Sequence, residues 1–135
     1  MYFIQHNFMK NDLKIIYNAF DGKLIGNYHM KKNVCEALIK MPEEVISYIT
    51  KNCWFFASME DAWAFTFRGN DLLDQHIIFL SDELLEQNKN QIQYTIAHEI
   101  GHVILGHRNS ILKKQSKTEI KRQEIQADEF AERFL

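Results

Sequence analysis

The stretch QYTIAHEIGHVILGH, residues 93–107, decides how the rest of the chain is read. It holds His98-Glu99-Ile100-Gly101-His102, two histidines four residues apart with a glutamate directly after the first. On an α-helix, side chains at i and i+4 share a face about 6 Å apart, so both imidazoles can reach one ion at ~2.0–2.1 Å. Glu99 is turned about 100° from His98. That places it beside such an ion without ligating it, where a general base for an ion-bound water belongs. The helix has independent support. Ile92, Ile96, Ile100 and Val103 form a stripe within about 40° of Ile96. His98 and His102 lie roughly opposite that stripe, with Tyr94, Thr95 and Leu105 near them. One face can therefore pack on a core while the other meets a metal and a further element. Asn88 and Gln91 supply a capping box for a helix of about 89–106.

Two His ligands need a third. One metallopeptidase pattern places Gly and His three and six residues after the second histidine, but those positions hold Leu105 and Arg108. Gly106 and His107 miss by one residue, and no methionine after Met59 can furnish the accompanying Met-turn. On a continued helical wheel His107 falls within about 20° of the Ile stripe, turned away from the histidine face. It reads as a helix C-terminal residue, a favourable place for an imidazole. The other pattern takes a glutamate from a later helix. Ser116 with Glu119 caps a helix of about 117–134, which carries Glu124-Ile125-Gln126-Ala127-Asp128. Glu124 and Asp128 share a face, and Ala127 and Ala131 beside them permit close approach. Asp128 is then placed to accept the second N–H of a ligating histidine. Glu119 is turned roughly 140° from Glu124 and has a local role in the capping box.

Upstream, HIIFL (76–80), CWFFAS (53–58) and AWAFTFRG (62–69) are aromatic or β-branched runs separated by turn residues, and they read as a small antiparallel sheet. Ser81 caps a short helix over 82–88. From Asn33 to Thr50 the period is helical, broken by Pro42, which suits the first turn of a second helix with Glu43 and Glu44 at its positive end. LKIIY (13–17) and KLIGNY (23–28) flank Asp21-Gly22 and suggest a hairpin, although a helix over 11–20 fits nearly as well.

Composition narrows the function classes. The 135 residues suit a single domain, 1–135, with 46% hydrophobic residues to fill its core. Sixteen Lys and Arg against eighteen Asp and Glu give a net charge of −2, which offers no footprint for nucleic acid or an anionic membrane. The longest apolar run, Cys53 to Ala57, is far below the ~20 residues of a membrane span. The start, MYFIQHNFMKND, meets Gln5, His6 and Asn7 before an apolar stretch develops, so no signal peptide is read and a cytoplasmic protein is expected. Cys35 and Cys53 then read as reduced core thiols. The five glycines cannot write a phosphate-binding loop at their spacings.

QYTIAHEIGHVILGH together with RQEIQADEFAERFL (122–135) resembles the ImmA/IrrE family of metallo-endopeptidases. Members of that family carry a helix of the form T-x-A-H-E-x-G-H and a later E-x-x-A-(N/D)-x-F-A segment. The resemblance implies one zinc ion held by His98, His102 and Glu124, with Glu99 as catalytic base. It implies cleavage of a protein substrate, a helix-turn-helix DNA-binding repressor, in bacteria and often on mobile genetic elements. Family members run on into further helices where this sequence ends at Leu135. On that ground a catalytically weak or inactive module that binds a regulatory protein is the alternative.

The expected architecture is α+β: a minimal zincin-like domain with a small antiparallel sheet, an active-site helix bearing HExxH, and a ligand-bearing C-terminal helix. Zinc would be the cofactor, Asp128 would support a ligand, and HIIFL would be the edge strand on which a peptide lies extended. Tyr94 and His76 are candidates to stabilise the oxyanion.

Overall fold

The computed structural model describes residues 12–57, 75–107 and 116–135, so the segment 62–69 lies outside the described residues. Residues 12–19 are helical and form α1. After it come β1 (Leu24–Ile25), α2 (Tyr28–Leu38), α3 (Glu43–Asn52), β2 (Cys53–Ala57), β3 (His76–Leu80), α4 (Asp82–Leu85), α5 (Lys89–Ile104) and α6 (Lys117–Phe134). Helices predominate, and the α+β expectation holds. Among the described residues no helix is long and apolar enough to cross a membrane.

The hairpin around Asp21-Gly22 does not form, and the helical reading of 11–20 describes the segment. Ile16 and Phe20 are buried while Ile15 and Tyr17 face solvent, a helical rather than alternating pattern. Asp21 and Gly22 both take positive φ, 50° and 84°, and reverse the chain into β1. Phe20 then stands edge-on to Phe55, centroids 5.8 Å apart.

The sheet is parallel, which overturns the antiparallel expectation. Its order is β1-β2-β3. Leu24 lies opposite Phe55, and β2 faces β3 in register from Cys53 opposite His76 to Ala57 opposite Leu80. The physical reason lies in β2 itself. Cys53, Phe55, Phe56 and Ala57 are all buried, so both faces of the strand are covered. Such a strand reads as a continuous apolar run, the signature of a parallel sheet. Parallel neighbours also need a long crossover, and α2 and α3 provide it between β1 and β2. Among the described residues β3 is an outer strand with Phe79 exposed.

Capping residues set the helix boundaries. The side chains of Asn27, Ser81, Asn88 and Ser116 each accept the backbone N–H three residues on. Pro42 sits at the N-cap of α3 rather than inside its first turn, with Glu43 and Glu44 following. The short helix ends at Leu85 instead of 88, and α5 ends at Ile104 instead of 106.

α5 is the central helix of the described residues. Ile92, Ile96 and Ile100 are fully buried and join Val34, Leu38, Phe55 and Leu80 in one core. On its α2 side, buried Gln93 donates to Asn33 Oδ1 at 3.3 Å and Glu36 Oε2 at 2.8 Å, and accepts from Lys40 at 3.3 Å. On its α6 side the contacts are small. Ala97 and Gly101 on α5 are buried, as are Ala127, Phe130 and Ala131 on α6. A Cβ built on Gly101 would lie 3.1–3.2 Å from three atoms of Phe130.

Gly101→Ala should therefore be destabilising. The alanine gains about 1 kcal/mol of helix propensity, but overpacking against a buried ring costs typically 1–3 kcal/mol. A net loss of roughly 1 kcal/mol is expected in urea unfolding. A gain in stability would show that α6 yields freely at this contact.

Candidate metal centre

The α5–α6 seam brings three of the residues singled out from sequence to one point. His98, His102 and Glu124 each offer a ligand atom, and these atoms all lie within 4.8 Å of one another. His98 Nε2 is 2.9 Å from Glu124 Oε2, His102 Nε2 is 3.1 Å from Glu124 Oε1, and the two Nε2 atoms are 3.1 Å apart. Four-coordinate zinc with bonds near 2.05 Å has ligand–ligand edges of roughly 3.3 Å, so the arrangement is close to what such an ion needs. The rings meet edge-on, with centroids 4.7 Å apart and planes at 83°. The imidazoles are mostly buried and Glu124 is half exposed, which leaves the point open to solvent from the α6 side.

Asp128 on α6 lies against the His98 ring. Its Oδ1 accepts from His98 Nδ1 at 2.8 Å, on the side of the ring opposite Nε2, which faces the cluster. Tyr94 donates its hydroxyl to the same Asp128 oxygen at 3.1 Å. Partial burial first, then this hydrogen bond and the charges of Asp128 and Glu132, push the Tyr94 phenol above its ordinary value. At neutral pH Tyr94 is therefore a hydrogen-bond donor that steadies Asp128. Glu99 is half-buried on α5 beside His98. His76 opens β3, where its Nε2 pairs with the Tyr48 hydroxyl at 3.2 Å.

One residue is placed differently from the sequence reading. His107 is not turned away from the histidine face. Its Nδ1 lies 2.9 Å from His102 Nδ1, and its Nε2 lies 2.8 Å from Gln126 Oε1 on α6. The wheel projection failed because the helix stops before reaching it. Gly106 takes φ 71°, its N–H bonds to Val103 O at 3.1 Å, and the His107 N–H bonds to His102 O at 2.9 Å. These two bonds define a Schellman turn, which folds the chain back over the last helical turn. The signal was present in Leu105-Gly106-His107, since a glycine just past a helical period is a stop.

Cys35 and Cys53 are free and buried. Burial pushes both thiols up to about 12, aided by the Glu36 carboxylate at Cys35 and partly offset by Lys23 at Cys53. Both are protonated at neutral pH and belong to the core. Among the described residues, the cluster able to hold a metal is the His-His-Glu set without a cysteine.

The Peptidase U49 family model matches residues 88–135, the segment that starts at the cap of α5 and spans both helices of the seam. The match supports protease activity. No curated protein and no solved structure gives a significant match.

The seam makes the third ligand testable by zinc titration. Glu124→Ala should weaken binding severely, because it removes one of three converging ligands. Asp128→Ala should weaken it roughly 10–100-fold, as losses behind a ligand typically do. Glu119 points elsewhere and only approaches Arg122 at 4.0 Å on an exposed surface. Its replacement by Ala should cost less than about 0.5 kcal/mol of stability and leave zinc affinity unchanged. A large affinity loss in Glu119→Ala alone would mean that the register of α6 is wrong.

Proposed function

We propose that this chain is a zinc-dependent endopeptidase of the HExxH type, in which His98, His102 and Glu124 hold the ion and Glu99 is the general base. The observation that carries the reading is the convergence of two imidazole Nε2 atoms and a carboxylate on one point, 2.9–3.1 Å apart, between helices drawn from the segment that matches a peptidase family. Such a donor set suits a borderline-soft divalent cation. When bound, zinc supplies Lewis acidity for the scissile carbonyl and for water.

The chain's own residues do the rest. Glu99 follows His98 on α5, turned about 100° around the helix, so its carboxylate borders the ion site instead of entering it. It takes the proton of the attacking water and returns it to the leaving amine, the usual double duty of a general base. Asp128 holds the His98 ring with Nε2 directed at the cluster. Tyr94 fixes Asp128 in turn. The half-exposed Glu124 marks the solvent side from which a peptide would enter.

The substrate we propose is a bacterial helix-turn-helix repressor cut at one exposed segment. The support is the likeness of residues 93–107 and 122–135 to the ImmA/IrrE pattern. Among the described residues β3 is an outer strand with Phe79 exposed, and we propose its main-chain edge as the place where an extended segment pairs.

Two measurements test the reading. Elemental analysis of protein reconstituted with zinc should return one ion per chain, and its absence would sink the metal assignment. Glu99→Gln keeps the size of the side chain but cannot take a proton. It should keep the ion and lose at least about 100-fold in peptidase activity, whereas His98→Ala should lose both. A Glu99→Gln protein that still acts normally on its partner would favour a module that binds a regulator without cutting it.

A further inference from the structure

His107 and Gln126 have no part in the ligand set, yet their side chains end in a single hydrogen-bonded line that runs into it. The Gln126 amide oxygen lies 2.8 Å from His107 Nε2. His107 Nδ1 lies 2.9 Å from His102 Nδ1, so one of these two nitrogens donates to the other. His102 Nε2 faces the cluster, 3.1 Å from both His98 Nε2 and Glu124 Oε1. An ion held there would take the Nε2 lone pair, which puts the His102 proton on Nδ1 and makes it the donor to His107. His107 would then carry its own proton on Nε2 and donate to the Gln126 amide oxygen, so the line takes its direction from the metal end.

We propose that His107, braced by Gln126, is the positioning residue for His102, doing for that ligand what Asp128 does for His98. The inference rests on the zinc reading above and adds to it the way the second histidine is held. The rings of His102 and His107 meet with centroids 5.2 Å apart and planes at 63°, a hydrogen-bonding rather than stacking geometry. His107 is not a ligand. It stands on the Nδ1 side of His102, while the ion site is on the Nε2 side, and both of its nitrogens already have partners.

The two ligating histidines thus have unlike supports. His98 leans on a carboxylate, His102 on an imidazole. The second arrangement fixes tautomer and ring orientation without adding a further negative charge beside Glu124 and Asp128. It also ties the ion site to the Gly106 turn and to α6, since the line crosses from one to the other.

The test uses the full chain, with zinc itself as probe in competition against a chromophoric chelator. His107→Ala should weaken zinc binding roughly 10–100-fold at an unchanged stoichiometry of one. His107→Asn places an amide oxygen where Nδ1 was and should restore most of the loss. In the 15N-labelled metal-free protein, a through-hydrogen-bond coupling should link the Nδ1 atoms of His102 and His107. Unchanged affinity in His107→Ala overturns the proposal. So does a loss as large as that of His98→Ala with no rescue by Asn, because His107 would then be a ligand. If the wild-type chain binds no zinc, the metal reading fails, and the coupling decides alone: its presence upholds the positioning of His102, and its absence overturns it.

Discussion

The closeness of α5 to α6 is the constraint on which the site depends. Helix axes pack 8–10 Å apart according to the side chains between them, and here those side chains are Ala97 and Gly101 facing Ala127, Ala131 and Phe130. The candidate ligands come from both helices, so the axis separation fixes the distance from the Glu124 oxygens to the two Nε2 atoms. Metal–ligand distances tolerate only about 0.2 Å. A single extra methyl at Gly101 meets Phe130 at 3.1 Å, so packing and chemistry share one tolerance. The small residues of the seam are thus as much a part of the donor geometry as the donors.

Rotation matters as much as distance, because one residue of slippage turns a helix by about 100°. Several independent anchors hold α5 in its rotation. Asn88 caps its first turn, the Ile stripe keys into the core, and Gln93 is fully engaged by Asn33, Glu36 and Lys40 on the α2 side. At the far end the Gly106 turn closes the last carbonyls. A buried amide with all its partners specifies one arrangement more sharply than apolar contact does. The two histidines of α5 are therefore presented in one rotation and held there by hydrogen bonds.

The sequence was most legible where one period and its caps agreed. HExxH, the Ile stripe opposite it, and Asn88 gave α5 nearly to its ends. Glu124, Asp128 and the two alanines gave the inward flank of α6. The sheet was misread because the turn residues between the aromatic runs were given more weight than the runs themselves. CWFFA is apolar on both faces, which is the pattern of a parallel strand, and the short spacing to the next runs suggested hairpins instead. A helix over 11–20 and a hairpin around Asp21-Gly22 fitted the sequence almost equally well, and the burial of Ile16 and Phe20 beside the exposed Ile15 and Tyr17 separates the two. His107 was misplaced because a helical wheel assumes the helix continues. It folds back onto His102 of the helix it follows and meets Gln126 on α6, and helical spacing alone can place neither contact.

The number of ligands bears on what kind of site this is. Structural zinc sites close with four protein ligands, commonly cysteines, while catalytic ones keep three and leave a position for water or substrate. The described residues gather two imidazoles and one carboxylate. The two thiols that might have completed a closed set lie in the core, protonated because burial opposes the thiolate. A thiol that keeps its proton is a poor ligand, and the interior that keeps it also shields it from any ion at the seam. Asp128 and His107 approach the ligands from behind, through Nδ1, and add no donor on the Nε2 side. A ligand set that is firmly supported from outside yet short of four within has the composition of an open site.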